Sequence, residues 1–104
     1  MTHKRLAQID QRIEKIKAEL VAIDAMRPGT LTRQFKDPKA RTGAYYQLSF
    51  TLDMKSRTDY IPRPYLKQVR REVAYYKRYK VLTAAWIALS IERSRLSIKL
   101  LRDA

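Results

Sequence analysis

The sequence predicts an α+β protein with a long helix, a three-stranded antiparallel β-sheet and a longer C-terminal helix, in that order. Apolar residues recur at helical spacing in residues 1–27, alternate with polar residues in residues 30–61 and return to helical spacing in residues 64–103. The chain has 104 residues, which predicts a single domain. We further expect the two helices to form an antiparallel coiled-coil stalk with the sheet at one end.

The first helix is predicted from the most regular apolar spacing in the chain. Intervals of three and four residues alternate between its six apolar positions: Leu6, Ile9, Ile13, Ile16, Leu20 and Ile23. This alternation defines the a and d positions of a coiled-coil heptad. Pro28 and Gly29 predict where the helix ends, because a residue before proline is biased away from helix and glycine favours a turn.

Alternation with a period of two predicts the strands. Apolar side chains occupy every second position of the clearest strand: Tyr46, Leu48, Phe50 and Leu52. The same period holds from Leu31 to Phe35, and residues 57–61 follow a tight turn predicted at residues 53–56. Each strand therefore has one apolar face and one polar face.

The long helix carries two apolar stripes on roughly opposite sides. The first stripe consists of Leu66, Val69, Val73, Tyr76, Ile87, Ile91 and Ile98. The second consists of Tyr75, Tyr79, Leu82, Trp86, Leu89, Leu96 and Leu100. We expect the first helix to cover the first stripe. A homodimer would then form through the uncovered end of the second stripe, at Leu82, Trp86, Leu89, Leu96 and Leu100, and the alternative is a different protein covering the same residues.

The charge of the chain favours a polyanionic partner. Lys and Arg number 23 against 10 Asp and Glu, a formal net charge of +13, and residues 63–80 alone hold seven basic residues and one acidic residue. Nucleic acid is the first expectation and an acidic membrane surface is the second. We expect no membrane partner, because the basic edge of the long helix is not backed by a separate, free apolar face. The N-terminal residues carry charge throughout and no segment resembles a membrane span. We therefore expect a cytoplasmic protein, associated with the nucleoid if it binds DNA.

The basic residues and the polar face of the sheet form the candidate nucleic-acid site. It comprises Arg33, Gln34, Lys36, Lys39, Arg41, Tyr45, Gln47, Ser49, Lys55, Arg57, Lys67, Arg70, Arg71, Lys77 and Arg78. A small sheet can enter a DNA major groove, where Gln reads base edges and basic residues hold guanine or phosphate. Tyr45 could equally stack on an unpaired base or complete the packing of a thin sheet, and the basic helix edge could be a solvated flank.

Nothing in the sequence predicts catalysis, a cofactor or a small-molecule substrate. The chain has no cysteine, its only histidine is His3 near the terminus, and its carboxylates between residues 37 and 59 are isolated from one another. Two glycines, Gly29 and Gly43, are too few for a glycine-rich phosphate loop. We therefore expect neither enzymatic activity nor a metal site.

A segment covering roughly residues 26–80 resembles a family of small uncharacterised prokaryotic proteins. The similar parts are Met26–Phe35, Gly43–Phe50, Tyr60–Pro62 and Val73–Tyr79. The pattern of that family is a G-S-L…Y strand, a cysteine-rich loop, an H-G-P-Y-Y-Y-L-S strand, a short hairpin, a V-P step and a long helix. The resemblance implies a microbial protein associated with mobile elements and carries no assigned activity. Residues 36–42 here lack the family's cysteines, so any metal site of the family is absent. The sheet followed by a helix is also similar in layout to the arm-type DNA-binding domains of tyrosine integrases.

Three functions remain open from the sequence. The first is a non-catalytic DNA-binding accessory or regulatory protein. The second is an RNA-binding subunit or chaperone of a ribonucleoprotein, and the third is a coiled-coil adaptor whose positive charge meets an acidic protein partner.

Overall fold

A computed structural model of the chain describes residues 2–104 and confirms the predicted order of helix, three-stranded antiparallel sheet and long helix. Its elements are α1 (Thr2–Val21), β1 (Thr30–Asp37), β2 (Thr42–Leu52), β3 (Lys55–Ile61), a 3-10 turn (Arg63–Tyr65) and α2 (Leu66–Asp103). Among the described residues, no helix is both long enough and apolar enough to span a membrane.

The chain divides into two compact units. The sheet unit is Asp24–Lys77, and the helical unit contains α1, residues 22 and 23, and Arg78–Ala104. Helix α2 contributes residues 66–77 to the sheet unit and residues 78–103 to the helical unit.

The sheet has the order β1-β2-β3, so β2 is central and β1 and β3 are edge strands. Leu48 of β2 pairs with Leu31 on one side and Asp59 on the other. Asp53 (φ 52°) and Met54 (φ 64°) form a two-residue turn between β2 and β3. Two successive residues at positive φ are the geometry that matches the twist of a hairpin, and β3 therefore begins at Lys55, two residues earlier than predicted.

The core of the sheet unit lies between the sheet and the first turns of α2. Its buried residues are Leu48, Ile61, Val69 and Val73, each no more than 8% exposed, with Leu31, Tyr46, Phe50 and Leu66 packed against them. Positions 69 and 73 are one helical turn apart and face the same side of α2. The first apolar stripe of α2 therefore covers the sheet at this point.

In the helical unit, Ile9, Ile13 and Ile16 of α1 are buried together with Leu82 of α2. Three ion pairs link the helices: Arg5 with Glu92 (2.6 Å), Asp10 with Arg93 (2.6 Å) and Glu19 with Arg78 (2.7 Å). The partners in α2 run in broadly the reverse order, which means that the two helices are antiparallel within this unit.

The structure corrects the expectation of which stripe α1 covers. Leu82 is only 4% exposed, and Trp86, Leu89, Leu96 and Leu100 are half-buried, so the stripe expected to be open is the one that is packed. The residues of the first stripe in this part of α2 are open instead: Ile87 is 61% exposed and Ile98 is 60% exposed. The reason is that the apolar face of the sheet also needs a cover, and the first stripe supplies it through Val69 and Val73.

Helix α1 ends at Val21, several residues before the predicted end. The amides of Ala22 and Ile23 donate to carbonyls three residues back, which tightens the last turn. The amide of Arg27 then donates to the carbonyl of Glu72 (3.1 Å) and joins the start of the sheet unit to α2.

The first prediction concerns Gly29, which has a φ of +130°. A Cβ atom there would lie 2.6 Å from the carbonyl oxygen of Ser49, so Gly29→Ala should lower the free energy of unfolding by about 2 kcal/mol or more. Gly43→Ala is the matched control. Its φ of +69° is accessible to alanine at about 1 kcal/mol, although its Cβ would lie 3.0 Å from that of Lys36. Urea unfolding followed by circular dichroism measures both, and equal losses would contradict the backbone argument.

The second prediction concerns acid stability of the helical unit. A hydrogen bond from Arg5 lowers the pKa of Glu92 below its ordinary value, and one from Arg93 does the same for Asp10. A lowered carboxyl pKa adds stability that is complete above the pKa of the unfolded chain and is lost as the pH falls through the folded value. The melting temperature should therefore fall as the pH drops below about 4. The fall should be small, because the pairs are exposed.

The double variant Asp10→Asn with Glu92→Gln should show a shallower decline over the same pH range than the unmodified chain. Asp53→Asn is the control, because Asp53 lies in the β2–β3 turn and joins no ion pair among the described residues. An identical pH dependence in all three proteins would mean that these two pairs contribute nothing.

Candidate nucleic-acid interface

The two faces of the sheet differ sharply in chemistry. Side chains of paired residues point to the same face, and successive residues alternate between faces. The face opposite Leu48 and Ile61 carries hydroxyl, amide and phenol groups from all three strands: Thr30, Thr32, Gln34, Tyr45, Gln47, Ser49, Thr51, Ser56, Thr58 and Tyr60. We call it the open face. Of the predicted site, it brings together Gln34, Tyr45, Gln47 and Ser49.

Most hydrogen-bonding groups on the open face are directed to solvent. The contacts among them are long, with 3.4 Å between Gln34 Nε2 and Thr32 Oγ1 and 3.5 Å between the hydroxyls of Ser49 and Thr58. Groups of this kind can each donate or accept, so the face is able to read a ligand that presents both donors and acceptors.

Tyr60 was missed in the sequence and is the most exposed aromatic residue of the open face. It is 64% exposed, lies opposite Gln47 in the register and is diagonal to Tyr45. The two tyrosines and Lys36 border a shallow depression of about 590 Å³ at this end of the sheet. The alternation of side chains along β3 could have revealed Tyr60 in the sequence. Ile61 is apolar and faces the core, so its neighbour Tyr60 must lie on the other face.

The alternation of side chains along the strands also corrects the predicted position of several basic residues. Arg33 pairs with Tyr46, Arg57 pairs with Phe50 and Lys55 pairs with Leu52. These three basic residues therefore share the apolar face and not the open face. Lys36 alternates onto the open face, whereas Lys39 and Arg41 lie in the β1–β2 loop. The predicted site is thus divided between two sides of the sheet.

A groove of about 540 Å³ runs between β1 and α2 on the side of the sheet that carries Leu48. Its lining residues are Gly29, Thr30, Leu31, Thr32, Arg33, Tyr46, Arg70, Val73, Ala74 and Lys77. We call it the β1–α2 groove. Three of these residues, Arg33, Arg70 and Lys77, are cationic and exposed, and no acidic residue lines the groove. The geometry favours an anionic ligand.

The sequence of α2 explains two of the three cations. Arg70 and Lys77 are separated by seven residues, which places them on one side of the helix about 10 Å apart along its axis. Both flank Val73, so the burial of Val73 against the sheet brings them beside the edge of β1.

Aromatic contacts position Arg33 of the groove and Arg41 of the β1–β2 loop. The guanidinium of Arg33 lies over the ring of Phe35 at 5.2 Å, and that of Arg41 lies 5.8 Å from the same ring. Such contacts hold a cation in place while its charge stays available to a ligand. Positive charge therefore continues from the groove towards the β1–β2 loop.

The remaining predicted residues lie outside the groove. Lys67 and Arg71 are exposed and, by helical phase, lie on the side of α2 away from the sheet core. Arg78 belongs to the helical unit, where its guanidinium pairs with Glu19 at 2.7 Å. Its charge is balanced locally, because α1 supplies an acidic partner that the sequence did not reveal.

The balance of ion pairs distinguishes the two units. Residues 24–77 contain twelve Lys and Arg against five Asp and Glu. The ion pair of Arg27 with Asp59 is the only one among the described residues of the sheet unit. In the helical unit, by contrast, every described Asp and Glu is part of an ion pair. The helical unit holds eleven Lys and Arg against five Asp and Glu, so the two units carry a similar excess of positive charge and differ in how their carboxylates are engaged.

Across residues 2–104, no group of three or more His, Cys, Asp and Glu side chains could hold a metal ion. No protein-family model, curated protein or solved structure matches this chain. The resemblance to the family of small prokaryotic proteins therefore stays a prediction.

Proposed function

We propose that the protein is a non-catalytic nucleic-acid-binding protein, with DNA as its first partner, and that it binds through the sheet unit. The observation that carries the proposal is the β1–α2 groove, in which Arg33, Arg70 and Lys77 meet without an acidic residue. Phosphate is the ligand that such a cluster fits, since cations that replace condensed counterions supply most of the sequence-independent affinity for nucleic acid.

The two sides of the sheet would contact different parts of the nucleic acid. Arg33 and the cations of α2 hold phosphates and position the chain, whereas the open face offers Gln34 and Gln47 to base edges. Strand β1 contributes to both, because its successive residues alternate between the groove side and the open face.

We assign the helical unit a scaffolding role as an antiparallel coiled coil of α1 with residues 78–103. The alternating spacing of the α1 isoleucines and the burial of Ile9, Ile13 and Ile16 support this assignment. The ion pairs of Arg5 with Glu92 and of Glu19 with Arg78, which run in opposite directions along the two helices, also support it.

The third prediction tests the groove directly. The triple variant Arg33→Gln, Arg70→Gln and Lys77→Gln should weaken binding to labelled duplex DNA by tenfold or more at low salt. If each cation meets one phosphate, the slope of log affinity against log salt should become shallower by about 3. Fluorescence anisotropy at several salt concentrations measures both quantities.

The matched control removes the same charge from the helical unit by Lys4→Gln, Lys15→Gln and Lys99→Gln. None of these lysines joins an ion pair among the described residues. The control should retain most of the affinity and the slope. Equal losses in the two variants would show that only net charge matters and would remove the groove from the proposal.

A second candidate, binding to single-stranded RNA or DNA, is favoured by the exposure of Tyr60. Stacking of a base on an aromatic side chain contributes about 1–3 kcal/mol, and an open tyrosine on a polar sheet suits it.

The fourth prediction separates the two candidates. If single strands stack on the open face, Tyr60→Ala should weaken binding to a single-stranded oligonucleotide by roughly 5- to 100-fold and leave duplex binding nearly unchanged. Tyr65→Ala is the control, because Tyr65 is 57% exposed but lies in the 3-10 turn outside the sheet. If Tyr60→Ala weakened only duplex binding, reading of a DNA groove by the sheet would be favoured. If it changed the binding of neither nucleic acid, Tyr60 would not belong to the site.

A further inference from the structure

The outer edge of strand β1 is open. Among the described residues, β1 pairs with β2 on one side and with no strand on the other. In an antiparallel pair, every second residue directs its backbone N–H and C=O to the neighbouring strand, and the residues between direct theirs outwards. Within the part of the chain that the structure describes, residues 30–36 make no backbone hydrogen bond outside the sheet. The outward-facing groups of β1 can therefore pair with an added strand.

The β1–α2 groove follows this edge. Its lining includes the consecutive residues 29–33. Side chains of successive strand residues point to opposite faces, so a depression on one face would contact only alternate residues. Contact with all five residues means that the backbone edge of β1 forms one wall of the groove. The groove volume of about 540 Å³ lies within the range of roughly 300–1,000 Å³ that is typical of ligand sites.

The opposite wall of the groove is one side of α2. Arg70, Val73, Ala74 and Lys77 are spaced by three, one and three residues, which places them on a single helical face. Val73 is buried against the sheet, whereas the other three residues are exposed. Ala74 has only a methyl group, so space remains between the two cations. A strand added to β1 therefore directs alternate side chains towards Arg70 and Lys77.

We propose that an extended acidic segment of another protein adds to the outer edge of β1 as a fourth strand, with its acidic side chains in the β1–α2 groove. Backbone hydrogen bonds to β1 supply part of the affinity, and alternate side chains supply specificity. Side chains on the groove side lie next to Leu31 and Arg33, and those on the other side lie next to Thr32 and Gln34. The preferred sequence therefore alternates acidic or apolar residues with small polar ones.

Charge decides which kind of strand the edge accepts. Arg33, Arg70 and Lys77 line the groove without an acidic residue. The guanidinium of Arg33 lies over the ring of Phe35 at 5.2 Å, which holds it beside the strand edge. A second copy of this chain that paired through β1 would bring two such cationic clusters together, and the net charge of +13 opposes that approach. An acidic segment is attracted by the same cluster.

The other edge of the sheet is protected against strand addition. Strand β3 carries Lys55, Arg57 and Asp59 at every second position. Charged side chains on an edge strand oppose pairing with another chain. The carboxylate of Asp59 also pairs with Arg27. Strand addition is therefore specific to β1.

Peptide and nucleic acid use the same three cations. An acidic segment in the groove therefore competes with the phosphates of the proposed function. Peptide binding does not itself depend on nucleic-acid binding, because the peptide is measured alone.

Fluorescence anisotropy with the full chain and a labelled, end-capped peptide tests strand addition. The peptide Glu-Thr-Val-Thr-Glu-Thr-Val-Thr-Glu presents Glu and Val on one side of a strand and Thr on the other. At low salt its dissociation constant should lie between about 1 and about 100 µM. The matched control has the same composition in the order Glu-Glu-Thr-Thr-Val-Val-Thr-Thr-Glu, which breaks the alternation, and it should bind about tenfold more weakly or worse. Equal affinities would show that charge alone matters and would overturn the proposal.

Backbone methylation separates strand addition from attraction by charge. One form of the alternating peptide is methylated at the backbone nitrogens of its Glu and Val residues, and a second form at those of its Thr residues. In an added strand only one of these two sets directs its N–H groups to β1, so one form should lose binding and the other should keep most of it. Equal affinities of the two forms, whether retained or lost, would overturn strand addition.

Variants of the chain locate the bound peptide. The triple groove variant of Arg33, Arg70 and Lys77 should bind the alternating peptide about tenfold more weakly or worse, whereas the triple lysine control in the helical unit should bind it like the unmodified chain. A peptide that binds the groove variant unchanged would overturn the proposal. If the chain binds the peptide and no nucleic acid, the proposed function fails and strand addition stands. If it binds nucleic acid and not the peptide, strand addition fails and the proposed function stands.

Discussion

The contact of Val69 and Val73 with Leu48 and Ile61 is the interaction on which the sheet unit depends. A three-stranded sheet needs its apolar face covered before it is stable, and residues 66–77 of α2 supply that cover. The same contact sets the position of α2 beside β1. Arg70 and Lys77 flank Val73 and so come to lie along the edge of β1. The cationic groove is therefore a consequence of how the core is packed.

Ion pairing differs between the two units although each holds a similar excess of basic residues. In the helical unit the carboxylates are engaged with arginine or lysine side chains, several of them across the two helices. Exposed pairs of this kind add little stability, but they neutralise charge locally. The sheet unit has a single such pair among its described residues, and its excess of basic residues is similar to that of the helical unit. What distinguishes the sheet unit is the β1–α2 groove, whose lining includes three cations and no acidic residue. A polyanion is attracted by the positive charge of both units before any specific contact forms.

The surroundings of helix α2 change along its length. Its first turns cover the sheet, and Leu82 is buried in the helical unit. Ile87 and Ile98, further along the helix, are exposed.

The nature and order of the elements followed from local patterns. The isoleucine spacing of α1 predicted its buried face at Ile9, Ile13 and Ile16, and the alternation from Tyr46 to Leu52 predicted the central strand. The composition of the open face also followed from the sequence, since that face carries four residues that were expected there: Gln34, Tyr45, Gln47 and Ser49. These patterns depend only on the spacing of apolar residues along each helix or strand, and that spacing can be read from a single sequence.

Only the tertiary structure decided what covers each face. It paired Arg57 with Phe50 and Arg78 with Glu19, and it exposed Ile87 and Ile98 in place of the stripe that had been expected to be open. The spacing of apolar residues shows which of them share one face of a helix or strand. The partner of that face is set by contacts between residues far apart in the chain, and a change of one position in a strand moves a side chain to the opposite side.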